Sequence, residues 1–329
     1  MKVQYRQIKN GIEIVRCYGT DSCVVLPREV EGQPVTRVAA YAFSARKWEE
    51  DTDVQEYQCE DTFLFSGEEH LLAGEDVSEI VFPDSVEAIG NYIFYGCKEL
   101  KRLEFSDSLK DIGSGAFTGC GKIEKLDVHM NSGDKSCVKE ILGDLWQRID
   151  VTFYYGEEIV KLVFPEHYEE AVENTPARIL FTQHHGIGNN YRQCFQAREI
   201  DYRKYDELFP LALAQDKIEV LIDLVFSRLI YPRGLAEKNR LLYEGYINEN
   251  LQEIIQNVIS GVNKEIDKFT IMQEISRKEM WNRENLDIAV KTAVERKERE
   301  LASWLMNERY RLFGRAEEKR QPKRKKFVL

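Results

Sequence analysis

The sequence predicts an α+β protein in which an N-terminal β-solenoid is followed by an α-helical domain. Two observations carry this prediction: one segment of the chain is repeated, and the apolar spacing changes from alternating to helical near residue 200. The repeated segments are VSEIVFPDSVEAIGNYIFYGC (residues 77–97) and LKRLEFSDSLKDIGSGAFTGC (residues 100–120), offset by 23 residues. A fixed period of this length is typical of solenoids, which stack coils around one continuous core.

Each repeat reads as two short strands joined by turns. The alternation of Ile80 and Phe82 predicts a strand, and the residues that follow have turn chemistry. A second stretch ends at Gly90, or at Gly113 in the next copy, where we expect a tight bend or a positive φ angle. The pairs that match at an offset of 23 are Val77/Leu100, Ile80/Leu103, Phe82/Phe105, Val86/Leu109, Ile89/Ile112, Gly90/Gly113, Phe94/Phe117, Gly96/Gly119 and Cys97/Cys120.

The repeat resembles that of the BspA-like, or Treponema pallidum-type, leucine-rich repeat family. The resemblance covers roughly residues 8–130 and implies the β-solenoid fold and a binding function, since the family includes adhesins and surface proteins. In the second copy Ser106 replaces the proline, and in the first Ile93 stands where alanine is usual. The matching skeleton is I-x-F-P-x-S-V-x-x-I-G-x-x-A-F-x-x-C, present as Ile80, Phe82, Pro83, Ser85, Val86, Ile89, Gly90, Phe94 and Cys97.

Charge also divides the chain. The first 200 residues hold 35 acidic and 21 basic residues, and the remainder holds 22 and 25. We therefore predict a leucine-rich-repeat domain, an α-helical domain and a basic tail. Their bounds are 1–190, 191–312 and 313–329; within the first, clear repeats cover 77–130, an acidic insertion covers 45–76 and a degenerate terminal coil covers 131–190.

The acidic insertion is the predicted binding site. Residues 48–76 contain eleven acidic residues and no lysine or arginine. Long insertions in solenoids emerge as loops on one face, so we expect this one to dock a basic protein partner through apolar anchors. A solvated loop held to the solenoid edge by its aromatic residues is the alternative; a Ca²⁺ loop is disfavoured because it lacks the glycine and closing glutamate. The candidate residues are Trp48, Glu49, Glu50, Asp51, Asp53, Tyr57, Phe63 and Phe65.

The seven cysteines and five histidines do not predict a chemical site. Cys97 and Cys120 occupy the same repeat position, so we expect buried, reduced thiols. His184, His185 and Cys194 lack a fourth ligand and a paired-cysteine spacing, so neither a metal nor another cofactor is predicted. No nucleophile elbow, H-E-x-x-H or phosphate-binding motif occurs, and we expect no enzymatic activity.

From about residue 200 to 312 the apolar residues follow helical spacing, with stops at Pro232 and Gly261. A faint echo at an offset of 80 resembles the helix hairpins of ankyrin-like repeats. The tail carries a basic run, Lys319, Arg320 and residues 323–326. A disordered end, weak nucleic-acid contact and docking of the tail onto the acidic loop are the alternatives.

These observations predict a non-enzymatic protein–protein interaction scaffold that uses the solenoid, the acidic loop and the helical module. No apolar run is long enough for a membrane span and the first residues lack the apolar stretch of a signal peptide, so we expect a cytoplasmic protein without membrane contact. Nucleic-acid association through the basic tail is one alternative, disfavoured by the acidic N-terminal half. A cell-surface or secreted binding protein is the other.

Overall fold

The computed structural model describes residues 1–46, 53–59, 69–174 and 179–314. It contains two compact units. The first comprises Met1–Asp216 with Tyr231–Gly234, and the second comprises Lys217–Ile230 with Leu235–Leu329. The first unit therefore continues well beyond the predicted domain boundary at residue 190.

The first unit is built mainly of short strands. Its elements are β1 (Lys2–Ile8), β2 (Gly11–Gly19), β3 (Cys23–Val25), β4 (Glu29–Val30), β5 (Gln33–Val38), β6 (Gln55–Gln58), β7 (His70–Leu71), β8 (Glu79–Val81), β9 (Ala88–Ile89), β10 (Arg102–Ser106), β11 (Asp111–Ile112), β12 (Lys125–His129), α1 (Val138–Asp144), β13 (Ile149–Tyr155), β14 (Glu158–Phe164), β15 (Tyr168–Asn174), β16 (Ile179–His185), α2 (Gly188–Arg192), β17 (Phe195–Gln196), β18 (Glu199–Ile200), α3 (Tyr202–Glu207) and α4 (Phe209–Gln215).

Each repeat contributes one strand to each of two sheets. The six-stranded sheet has the order β14-β13-β12-β10-β8-β3, in which β3, β8, β10, β12 and β13 run parallel. The strands β5, β9 and β11 run parallel in the eight-stranded sheet, whose path is β11-β9-β5-β2-β1-β6. This arrangement of about five turns confirms the predicted β-solenoid.

Repeated side chains stack through the interior of the coils. The rings of Phe43, Phe94 and Phe117 follow one another with centroids 5.7 Å apart at each step. The thiols of Cys97 and Cys120 donate to the carbonyl oxygens of Phe43 and Phe94, at 3.3 and 3.2 Å. Burial raises the pKa of each of these two thiols to about 12, so they stay protonated, as expected for buried, reduced cysteines.

The repeat glycines Gly90 and Gly113 do not provide the positive φ angle that was one of the two expectations for these positions. Neither has a positive φ angle. Instead, a Cβ atom on Gly113 would lie 2.2 Å from the carbonyl carbon of Gly90, and one on Gly90 would lie 2.2 Å from the nitrogen of Ala40. Glycine is required here because the backbones of successive coils come into direct contact.

The end of the solenoid explains why the first unit extends to Asp216. Buried Arg192 donates to the carbonyl oxygens of Leu142, Leu145, Pro165, Gln147 and Gly188. Burial lowers its pKa to about 10, yet these five carbonyls compensate the loss of water.

Helix α3 is also held to the solenoid by buried contacts. The hydroxyl of Tyr205 donates to the carbonyl of Val163 at 2.6 Å and accepts from its amide at 2.9 Å. The Tyr205 ring packs edge-on against Phe164 and Tyr191. The residues that follow 190 therefore complete the core of the solenoid unit before the second unit begins.

The second unit is helical. Its buried residues come from every helix, among them Ile222, Ile255, Ile275, Leu286 and Leu305. Buried Asp223 accepts the backbone N–H groups of Lys264 and Glu265 at 2.9 and 3.2 Å, which fixes a loop against the helix that carries it. The helices are α5 (Ile218–Ile230), α6 (Glu237–Ile259, kinked at Asn250), α7 (Lys268–Arg277), α8 (Arg283–Glu295) and α9 (Arg299–Arg309), followed by a π-helical turn, Tyr310–Gly314.

Candidate binding site

The outward face of the six-stranded sheet carries an ordered cluster of charged residues. Side chains alternate along a strand, so Leu103 and Phe105 of β10 are buried inside while Arg102 and Glu104 face outward. The parallel register then places Glu79 beside Arg102, and Asp127 beside Glu104. The repeat therefore turns the outward positions of neighbouring strands into one continuous surface.

Arg102 is at the centre of this cluster. Its Nε–H donates to Oδ2 of Asp127 at 2.6 Å, and its terminal nitrogens donate to Glu79 at 3.2 Å and to Glu104. Burial opposes the charge of Arg102, but hydrogen bonds and charge from Asp127 and Glu104 outweigh it and raise the pKa of Arg102. Three carboxylates share one guanidinium, so the cluster has excess negative charge.

His129 and Tyr154 extend the cluster across β12 and β13. Their rings stack with centroids 5.1 Å apart, and Nε2 of His129 lies 2.9 Å from Oε1 of Glu104. The Tyr154 hydroxyl donates to Oδ1 of Asp127 at 3.0 Å. Burial, together with the charge of Asp127 and its hydrogen bond, raises the pKa of Tyr154 to about 12, so this hydroxyl remains a donor at neutral pH.

A groove of about 930 Å³ adjoins this face at the β3 edge of the sheet. Its walls include Val25, Val81 and Phe82 from the six-stranded sheet and Leu72 from the region of β7. The Val25 side chain is 55% exposed, which is unusual for a valine in a strand. Carboxylates line the groove at Asp21, Glu69, Asp84 and Glu104, along with two basic side chains, Arg28 and His129.

The groove and the charged face together can hold a basic ligand that also presents apolar side chains. Glu104 and His129 belong to both surfaces, so a ligand in the groove lies against the charged cluster. The volume is within the range of sites that enclose small molecules or short peptides. Apolar walls supply contact area, and the carboxylates select for positive charge.

The predicted site residues fall mostly outside the described residues. Trp48, Glu49, Glu50 and Asp51 lie in the segment 47–52, and Phe63 and Phe65 lie in the segment 60–68, neither of which the structure describes. Of the remaining two, Asp53 is exposed with a φ angle of 58°, and Tyr57 lies in β6, opposite Val3 of β1.

Two described residues of the acidic insertion border the groove, although the predicted site residues Asp53 and Tyr57 do not line it. Cys59 and Glu69, on either side of the segment 60–68, both contribute to the wall. The side-chain amide of Gln58 donates to Glu69 at 3.2 Å, which holds the two ends together. These described residues of the insertion therefore lie at the groove, and the role of the insertion as a docking loop stays a prediction.

Across the described ranges, the structure brings together no group of three or more His, Cys, Asp and Glu side chains suited to a metal ion. His184 and His185 end strand β16 of a hairpin, and His185 stacks on Tyr168 at 4.5 Å and lies 3.1 Å from Glu170. Cys194 is buried beside the carbonyl of Asn190. No described helix is long and apolar enough to cross a membrane.

The charged cluster was missed by the sequence prediction, although a signal for it exists. The repeat comparison used matched apolar positions, which face inward. The outward positions also recur at intervals of 23, as Glu79, Arg102 and Lys125 and as Val81, Glu104 and Asp127. Reading these rows as neighbours on one sheet would have revealed a charged face on which Arg102 lies among Glu79, Glu104 and Asp127.

Comparison with known proteins agrees with the solenoid. A family model described as a BspA type leucine rich repeat region, in six copies, matches residues 68–140. Residues 68–140 are therefore BspA-type leucine-rich repeats. The repeats span the strands β8, β10 and β12, which carry the charged cluster, and the predicted family resemblance is thereby confirmed.

Two solved structures are similar to part of this chain. A leucine-rich cell surface protein from Faecalibacterium prausnitzii is 20% identical, with a TM-score of 0.26, and the match covers 38% of this chain and 31% of that protein. The T. pallidum leucine-rich repeat protein is 22% identical, with a TM-score of 0.23, covering 38% of this chain and 68% of that one. The chain thus spans about a third of the length of the first. No curated protein matches the sequence.

Proposed function

We propose that this protein is a non-enzymatic scaffold that binds a basic protein partner through the outward face of its six-stranded sheet and the adjoining groove. The observation that carries this proposal is the cluster centred on Arg102, in which Glu79, Glu104 and Asp127 share one guanidinium. Leucine-rich-repeat solenoids use such extended surfaces for binding. A preorganised face of this kind favours specificity and rapid association with a positively charged partner.

The acidic insertion is part of the same proposal. Cys59 and Glu69, two residues of the insertion, line the groove, so a partner held there would contact these residues. A cytoplasmic location belongs to the proposal as well and is checked by cell fractionation. Recovery of the protein from a membrane or culture-medium fraction would contradict this location.

Affinity capture from native lysate tests the proposed face. The face variant carries Glu79→Gln and Glu104→Gln, which remove two charges while keeping side-chain shape and hydrogen-bond acceptors. The matched control carries Glu87→Gln and Asp111→Asn, exposed residues at strands β9 and β11 of the other sheet. We expect proteins captured by the natural chain to be retained by the control and lost by the face variant. Equal capture by both variants would refute the proposal.

A second variant tests the insertion. Deleting residues 48–76 would remove β6 and β7, which pair with β1 and β2. Deleting only 60–68 keeps both strands, and a short glycine linker joins Cys59 to Glu69. Loss of capture in this variant supports a contribution from the insertion. Full capture means that the partner contacts the sheet and groove without it.

A further inference from the structure

Strand β3 forms an open edge of the six-stranded sheet. It pairs with β8 on one side, and no strand among the described residues pairs with it on the other. Unpaired edges present backbone N–H and C=O groups that another extended chain can bind. Since β3 lies along the groove, the groove offers backbone partners in addition to side chains.

The hydrogen bonds of the neighbouring residues show which backbone groups face the open edge. The carbonyl oxygen of Ser22 accepts from the amide of Glu79, and the amide of Leu26 donates to the carbonyl oxygen of Val81. The backbone groups of these alternate residues therefore point toward β8. Because the direction of the backbone N–H and C=O groups alternates along a strand, those of Cys23 and Val25 point away from β8, toward the open edge. The amide of Cys23 donates to the Asp21 carboxylate at 2.9 Å. Within the described ranges, the carbonyl of Cys23 and both backbone groups of Val25 are available to a ligand.

The side chains around this edge specify what the ligand carries. The exposed side chain of Val25 lies beside Val81 in the strand register, giving an apolar strip on the outward face. Asp21, Asp84 and Glu104 line the same groove. The strand register puts Val25, Val81 and Glu104 on the same outward face, so the outward side chains of an added strand would meet both valines and a carboxylate.

We propose that the partner enters this groove as an extended segment that carries both basic and apolar residues and adds to the open edge of β3. This inference rests on the proposed function and specifies how the partner is recognised. The described part of the chain leaves three backbone groups available on the edge, so charge and apolar contacts supply the selectivity. The short edge, followed by Pro27, also limits uncontrolled pairing between copies.

Fluorescence anisotropy with a defined probe tests the inference. The probe is a labelled eight-residue peptide, Lys-Lys-Val-Val repeated twice, so that the side chains on each face include both lysine and valine. Its controls are the same peptide with glutamate in place of lysine and the same peptide methylated at every backbone nitrogen. We expect the full-length protein to bind the probe, and each control at least about tenfold more weakly, because the methylated peptide has lost its hydrogen-bond donors. Equal binding of the methylated peptide, or no binding of the probe, overturns the inference.

A protein variant provides the reciprocal test. Val25→Pro removes the amide that faces the open edge and leaves the bonds between β3 and β8 in place. We expect about tenfold weaker probe binding, whereas Val25→Thr, which keeps the backbone, changes affinity less than threefold. Unaltered binding by Val25→Pro contradicts the inference. If this variant does not fold, the methylated peptide still decides the question.

Two further outcomes assign the groove to a different occupant and overturn the inference. A dimer in sedimentation experiments that Val25→Pro dissociates would make a second copy the occupant. Probe binding that appears only after deletion of residues 60–68 would make the insertion the occupant. If lysate capture depends on Glu79 and Glu104 but not on the Val25 backbone, the proposed function holds and strand addition alone fails.

Discussion

Close contact between successive coils makes Gly113→Ala a sharp test of the solenoid packing. The new Cβ atom would lie 2.2 Å from the carbonyl carbon of Gly90 and 2.3 Å from the nitrogen of Asn91. Carbon atoms in contact are normally about 3.5 Å apart, so the two coils must separate by roughly 1 Å. The amide of Gly113 donates to Ile89 at 2.8 Å across this contact, and the separation would stretch that bond.

The expected loss of stability follows from these contacts. Overpacking costs about 1–3 kcal/mol, and a weakened hydrogen bond between coils adds about 1 kcal/mol. A gain of about 0.4–1 kcal/mol from restricting the unfolded chain offsets part of this loss. We therefore expect Gly113→Ala to lower the free energy of unfolding of the first unit by about 2–3 kcal/mol.

Urea unfolding combined with hydrogen exchange measures this change within the first unit. Gly121→Ala is the matched control, since no atom lies within 4 Å of its Cβ position and its φ angle is not positive. We expect the control to be neutral or slightly stabilising, and peptides containing residues 89–94 to exchange faster in Gly113→Ala. A Gly113→Ala protein as stable as the control would refute the proposed packing role.

Three further predictions concern charge and thiols. Arg102→Met should destabilise the first unit by about 3 kcal/mol in urea unfolding, because the buried Asp127 carboxylate loses its charged partner; a loss below about 1 kcal/mol would contradict this. Iodoacetamide should modify Cys23 and Cys59 before the five buried cysteines, as read by peptide mass spectrometry, and early modification of any buried thiol would be the opposing result. Burial raises the pKa of Asp216 to about 6, so the native state favours its protonated form and loses stability as pH rises through that value. Asp216→Asn should therefore be more stable than the natural protein at pH 7.5 and similarly stable at pH 4, as measured by thermal unfolding. The same dependence of stability on pH in both proteins would exclude this.

The repeat made the solenoid predictable from sequence. Inward positions such as Ile80 and Leu103 recur with strand alternation, and the core they form is stacked as the period requires. Cys97 and Cys120 were also predictable, because a small apolar side chain at the same repeat position fills the same space in each coil. The glycines illustrate the limit, since the sequence does not distinguish a positive φ angle from a close approach of two backbones.

The extent of the first unit depends on contacts that leave no local signal. Arg192 and Tyr205 bind backbone carbonyl groups distant in sequence, and any residue type supplies a carbonyl. Similarly, the ion pairs of Arg102 depend on the strand register that places three carboxylates around it. Composition predicted acidity in this half of the chain, but the position of the charge required the strand pairing.

Carboxylate footprinting of the captured complex tests the central claim most directly. Carbodiimide-coupled labelling with glycine ethyl ester is compared between the free protein and the protein bound to its captured partner. We predict that labelling of Glu79 and Glu104 falls on binding, while labelling of Glu87 and Asp111 on the other sheet is unchanged. Protection of Glu87 and Asp111 with unchanged labelling of Glu79 and Glu104 would contradict the assignment of the outward face of the six-stranded sheet as the binding surface.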